Sequence, residues 1–180
     1  MKKIAVFITA LLLSAFIYAQ QIIHVPGDYL IIQAAIDAAS YGDTILVDTG
    51  RYVENIVIQG NNKVVTLASN FIFSADTNDI NNTIIDGSNP INPNYGMVVM
   101  LKNQDTILMT KIVGFSLTGG TGYYGAYGGG INCNMAIPVI EYNHIEDCSV
   151  TGTQPHGAGI RVGQGDTSQV CIIRYNVIRN

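Results

Sequence analysis

The chain has 180 residues, of which 48% are hydrophobic and only 12% charged, with 19 glycines and a net charge of −4. That length supports one domain with a continuous core, and the weakly acidic balance lacks the basic footprint that nucleic-acid binding requires. Three cysteines, Cys133, Cys148 and Cys171, are too few for a disulfide scaffold, although one bridge would be chemically open to an exported chain.

Residues 1–19 read as a secretory signal peptide. Lys2 and Lys3 precede an apolar run from Ile4 to Leu13, and Ala19 offers a small residue for cleavage before Gln20. A retained anchor is the alternative, but a spanning helix needs about 20 apolar residues and this run is shorter. Cleavage after Ala19 would leave a mature domain of 20–180, secreted or held in the cell envelope, with no transmembrane segment.

The stretch from Leu30 to Ile58 organises the rest of the chain. Ile32, Ala35, Ile36 and Ala39 fall at i, i+3, i+4 and i+7 and make a narrow apolar stripe, with Gln33 and Asp37 off it. The spacing predicts a helix over about 30–40, a lid for something below it. Gly42 is suited to the left-handed conformation that closes a helix, and Asp43 turns the chain into a first strand from Thr44. The sequence IQAAIDAASYGDTILVDTGRYVENIVI resembles the opening of secreted right-handed parallel β-helix proteins of the pectin lyase-like superfamily, its cap region being similar to that of pectin methylesterases. Those proteins carry Thr or Ser two residues before the Gln, where this chain has Ile31; a lost hydroxyl cap costs about 0.5 to 2 kcal/mol unless another group, such as Asp28, substitutes. The resemblance implies an all-β, right-handed parallel β-helix with an N-terminal capping α-helix and coils from residue 44 to the chain end.

Beyond the cap, Asn55–Ile58 and Lys63–Leu67 are short strands around a Gly60-Asn61-Asn62 turn, and Asn70–Asn82 is polar and predicts an outward loop. From Thr83 onward a period of 33 runs through three columns: Ile84, Leu117 and Val150; Ile107, Ile140 and Ile173; Ile112, Ile145 and Ile178. Ankyrin repeats share this length, but segments such as GGGINC and PVIEYNHIEDC are rich in Gly and β-branched residues and do not read as helices. The repeat predicts three walls. Thr83–Asp86, Phe115–Thr118 and Cys148–Thr151 form one; Met97–Leu101, Gly129–Cys133 and Ala158–Val162 the second; Thr106–Gly114, Val139–Asp147 and the chain from Cys171 the third. Stacking at this period sets Glu141 against Arg174, Glu146 against Arg179, Tyr142 over Tyr175 and Asn143 over Asn176, and buries Cys148 as a free thiol. Because the register continues unbroken to Asn180 with no capping element after it, the sequence predicts a fragment, the front part of a longer protein with further C-terminal coils.

Enzymes of the superfamily work with clustered Asp, often with calcium, and an Arg or Lys; the methylesterases use two Asp and an Arg. No such cluster is visible after the cap. Asp147, Asp166, Arg161, His144 and His156 are the nearest acids and bases, none spaced as metal ligands, so catalytic residues remain unknown, and neither a metal site nor a cofactor is evident. Asp147 reads as a solvated corner carboxylate, and His144 shares a predicted column with Lys111 and Val177. Binding has more to work with. The loops Gly87–Gly96, Gly119–Gly128 and Gly152–Gly157 leave one edge, and the middle one presents Tyr123, Tyr124 and Tyr127, with His156 and Asp166 as polar partners. Such rings suit the faces of a polysaccharide or cell-surface glycan, or else fold back over the core. Three readings are open: a secreted polysaccharide-binding or polysaccharide-active protein; a structural or adhesive surface protein, since Gly128–Asn132 and Gly157–Arg161 resemble repeats of bacterial outer-membrane β-helix adhesins; or a pectate lyase- or pectinesterase-like enzyme with its active site beyond residue 180.

Overall fold

A computed structural model describes residues 20–104, 109–124, 127–152, 155–163 and 170–180. The protein is mostly β, built from parallel sheets of short stacked strands. Sheet I holds β1 (Ile22–Val25), β2 (Thr44–Val47), β5 (Thr66–Ser69), β9 (Lys111–Val113), β13 (Val139–Glu141) and β16 (Ile172–Arg174). Sheet II holds β3 (Gly50–Val53), β6 (Thr83–Asp86), β10 (Ser116–Thr118), β14 (His144–Glu146) and β17 (Val177–Arg179). Sheet III holds β4 (Ile56–Gln59), β8 (Val99–Gln104), β12 (Ile131–Ala136) and β15 (Ile160–Gly163). From β2 onward the chain visits sheets I, II and III in that order and then begins again. Every pairing within them is parallel, so each strand bonds to its counterpart from the neighbouring circuit.

Side-chain alternation puts one row from each strand inside. In sheet I the row is Ile23, Ile45, Leu67, Ile112, Ile140 and Ile173; in sheet II it is Tyr52, Ile85, Leu117, Ile145 and Ile178. Those from the middle circuits are buried, each contributing roughly 1.5 to 3 kcal/mol. Cys133 and Cys148 join this core, and all three cysteines are free. Burial pushes both thiols up from their ordinary range.

The second predicted wall has the observed register: Val99 pairs with Ile131 and Ile131 with Ile160. The other two are corrected. The 33-residue step holds for the last circuit, where Ile140 meets Ile173 and Ile145 meets Ile178. One circuit earlier the step is 28, so Ile112 pairs with Ile140, Leu117 with Ile145, and Ser116 rather than Lys111 with His144. The predicted third wall splits at Tyr142-Asn143 into strands of sheets I and II, and His144–Glu146 takes the place predicted for Cys148–Thr151. The error has a simple cause. Inward β-branched residues occur in adjacent sheets at similar offsets, so a fixed period aligned Ile112 with an inward Ile of the wrong sheet. Ile107 lies outside the described residues. Ile178 is 52% exposed although it belongs to the inward row, because among the described residues β17 pairs with β14 alone.

The predicted lid exists as α1 (Ile32–Ala38), with Ile32, Ala35 and Ile36 buried. Asp28 does not cap it; its carboxylate accepts from the His24 N–H. The cap is Glu54, whose two oxygens accept from the Ile32 and Gln33 N–H groups at 2.9 and 3.0 Å. A carboxylate there also suits the helix dipole. The Gln33 amide in turn accepts from Val57 N–H and donates to Val57 C=O, bonding the β4 edge at that residue. Lys63 Nζ donates to the carbonyls of Asp37 and Ala39 at the other end. Gly42, with φ +90°, turns the chain four residues after the helix rather than closing it. The segment predicted to be an outward loop instead forms two short helices, α2 (Phe71–Ser74) and α3 (Thr77–Asn82), the second capped by Asp76.

The corner between sheets I and II carries the predicted asparagine stack. Asn143 Nδ2 donates to the carbonyls of Ile112 and Glu141, its Oδ1 accepts from Phe115 N–H, and its own N–H donates to Asn176 Oδ1 at 2.9 Å. Tyr142 stacks on Tyr175 with ring centroids 4.9 Å apart, and the pairs Glu141–Arg174 and Glu146–Arg179 close at 2.7 and 2.8 Å. Among the described residues, no helix is long and apolar enough to cross a membrane.

Candidate functional site

The segments joining sheet II to sheet III bring the predicted tyrosines together. Two of them pair as short antiparallel strands, β7 (Tyr95–Gly96) and β11 (Gly122–Tyr123), which sets Tyr95 opposite Tyr123. Tyr123 and Tyr127 then exchange backbone hydrogen bonds, and Gly128 N–H donates to the carbonyl of His156 in the next segment. Gly122 takes φ +84° to make this turn, and a side chain there would meet Val150 and the Tyr127 backbone. Glycine-rich sequence therefore serves a close approach of three segments.

The rings form two groups. Tyr95 meets Tyr123 edge-on at 5.2 Å, and Tyr123 meets Tyr124 edge-on at 4.4 Å, the geometry that aromatic quadrupoles favour. Tyr127 stacks on His156 at 5.7 Å with an interplanar angle of 11°. The Arg161 guanidinium lies 4.8 Å from the Tyr127 centroid and donates to Asn132 Oδ1 at 3.1 Å, which anchors it to the neighbouring strand. Burial, together with the Tyr124 and Tyr95 hydroxyls, pushes the Tyr123 hydroxyl up to about 12.

Of the predicted residues, Tyr123, Tyr124, Tyr127 and His156 thus share one place, and Asp166 lies outside the described residues. The rings pack on one another rather than into the core cluster, and Tyr124 is 60% exposed. Arg161, weighed in the sequence as an acid–base candidate, sits here as a cation over a ring. Tyr95 and Asn132 were missed. The second-wall register could have found Tyr95, since it sets that residue level with Tyr127. His144 and Asp147 lie elsewhere, on the outside of sheet II. Among the described residues no group of three or more His, Cys, Asp or Glu could hold a metal ion.

The arrangement offers ring faces, a phenol that remains protonated, an imidazole and a fixed guanidinium. No protein-family model, curated protein or solved structure matches the chain.

Proposed function

We propose that this chain is a secreted or cell-surface right-handed parallel β-helix protein that binds polysaccharide through its tyrosine-bearing loops. The strict I, II, III strand order, the all-parallel stacking and the stacked asparagines support the solenoid part of the reading. The leader-like residues 1–19 support export. The observation that carries binding is the convergence of Tyr95, Tyr123, Tyr124, Tyr127, His156 and Arg161 from separate segments, with the Tyr124 ring left open to solvent. Aromatic rings with polar tips match sugars, which present C–H faces and hydroxyl edges. No cofactor is needed for such binding.

The test is a glycan array probed with residues 20–180. Binding to a polysaccharide class, reduced about tenfold by Tyr124→Ala as expected for loss of roughly 1.4 kcal/mol, is the expected result. Absence of binding to every glycan would favour a structural or adhesive surface role. Release of unsaturated uronides from pectin or alginate would move the chain to the lyases.

A further inference from the structure

A second feature stands apart from the tyrosines, on the outer face of sheet II. The segment carrying α3 packs over one side of this face, where Ser116 Oγ donates to the Ile80 carbonyl, and leaves a groove of about 320 Å³ across β6, β10, β14 and β17. That size lies at the small end of ligand sites, roughly 300 to 1,000 Å³. Two outward rows run across this face, all but Asp86 lining the groove. One runs Arg51, Ile84, Ser116, His144; the other Asp86, Thr118, Glu146, Arg179.

The charges in these rows are already paired. Arg51 donates from Nε and Nη2 to Asp86 Oδ2 at 3.0 and 2.6 Å, and Arg179 closes on Glu146 Oε2 from Nε and Nη2 at 2.8 Å. The two ion pairs flank β10, so Asp86 and Glu146 stand two strand spacings apart, about 9.6 Å between backbones. An anionic ligand here would meet the Glu146 and Asp147 carboxylates beside the guanidiniums, and a cation would meet Arg51 and Arg179. A ligand with neutral hydroxyls is repelled by neither. It uses what the pairs leave over: Glu146 Oε1 and the Thr118 hydroxyl have no partner among the described residues, the Arg51 and Arg179 side chains are more than half exposed, and His144 adds a ring. Proton transfer is not the use of Asp86. Burial acts to raise its carboxyl, but hydrogen bonds from Ser88 and the Arg51 ion pair outweigh this and hold it below the usual range, so it stays ionised.

We propose that the outer face of sheet II is a second binding site, separate from the tyrosine loops, which takes a neutral polyhydroxylated ligand of the oligosaccharide class between the Arg51–Asp86 and Glu146–Arg179 pairs. It stands whether or not the tyrosines bind glycan.

The test tracks the Nε–Hε signals of Arg51 and Arg179 by NMR in the isotope-labelled chain 20–180 during titration with cellohexaose, xylohexaose, mannohexaose and hexagalacturonate. Saturable shifts of both arginines with at least one neutral hexamer are expected. Glu146→Gln and Thr118→Val should each weaken that binding about tenfold, and Tyr124→Ala should leave it unchanged. Thr118→Val keeps the branched shape and all ion pairs, so it carries the test if Glu146→Gln fails to fold. No shift with any neutral hexamer, tighter binding of hexagalacturonate than of all three, or loss of the arginine shifts in Tyr124→Ala would overturn the second site. Arginine shifts that persist while no signal from the tyrosines moves would overturn only the loop-binding reading.

Discussion

The two ends of the stacked sheets share one inward row and differ in what lies over it. At the first end α1 spans β1, β2 and β4, the Glu54 carboxylate holds the helix N-terminus and the Gln33 amide bonds the strand edge beneath, so Ile45 and Ile56 are fully buried. At the other end, among the described residues, β16 and β17 pair on one side, and Ile173 and Ile178 are 43% and 52% exposed. Identical alternation thus gives a core residue or a half-open apolar edge. Burial here belongs to the stack, not to the strand.

The largest expected effect separates equivalent positions one circuit apart. Ile145→Ala should cost about 2 to 5 kcal/mol through lost burial and a cavity, whereas Ile178→Ala should cost no more than about 1 kcal/mol, because half of that side chain is already in water. Urea denaturation midpoints for the two variants check this, and equal losses would contradict the one-sided exposure.

The asparagine stack should show the same gradient more weakly. Asn143→Ala strands the Phe115 N–H inside the corner and removes one of the bonds to the Ile112 carbonyl, a loss of about 1 to 3 kcal/mol, and Asn176→Ala should lose about half as much because its layer is partly solvated. Thermal melts of both variants give the order. If Asn176→Ala proves the more damaging, the open end is better covered than its exposures imply.

The smallest contrast concerns charge. Glu54→Ala removes the side-chain cap on α1 and should cost about 0.5 to 2 kcal/mol, while Arg174→Ala at the open end breaks only an exposed ion pair and should cost less. Raising salt should erase most of the Arg174 effect and leave most of the Glu54 effect, since its backbone hydrogen bonds persist; melts at low and high ionic strength test this.

Much of the candidate site was legible in the chain. GGTGYYGAYG advertised tyrosines on glycines, and an edge shared with His156 came from the second wall. Arg161 over Tyr127 was not legible, because a cation–π contact depends on a side chain's path rather than its place in a repeat. Nor was the sheet II groove. With 33 as the step, His144 stood beside Lys111; only the observed step of 28 sets it beside Ser116, between the two ion pairs.

By itself the sequence determined the class of structure: short β-branched strands with period-two alternation, a helix before them, and one circuit of 33 residues with its ion pairs and stacked rings. Those features are local, or repeat at a constant offset. Tertiary structure alone decided the step of the preceding circuit, the helix cap from Glu54 and the two helices in 70–82. The physical reason is that a stacked strand fixes which sheet its neighbour joins but not how many residues the turns between them take. Alternation marks a residue as inward, and only the closed stack determines which inward residue it meets.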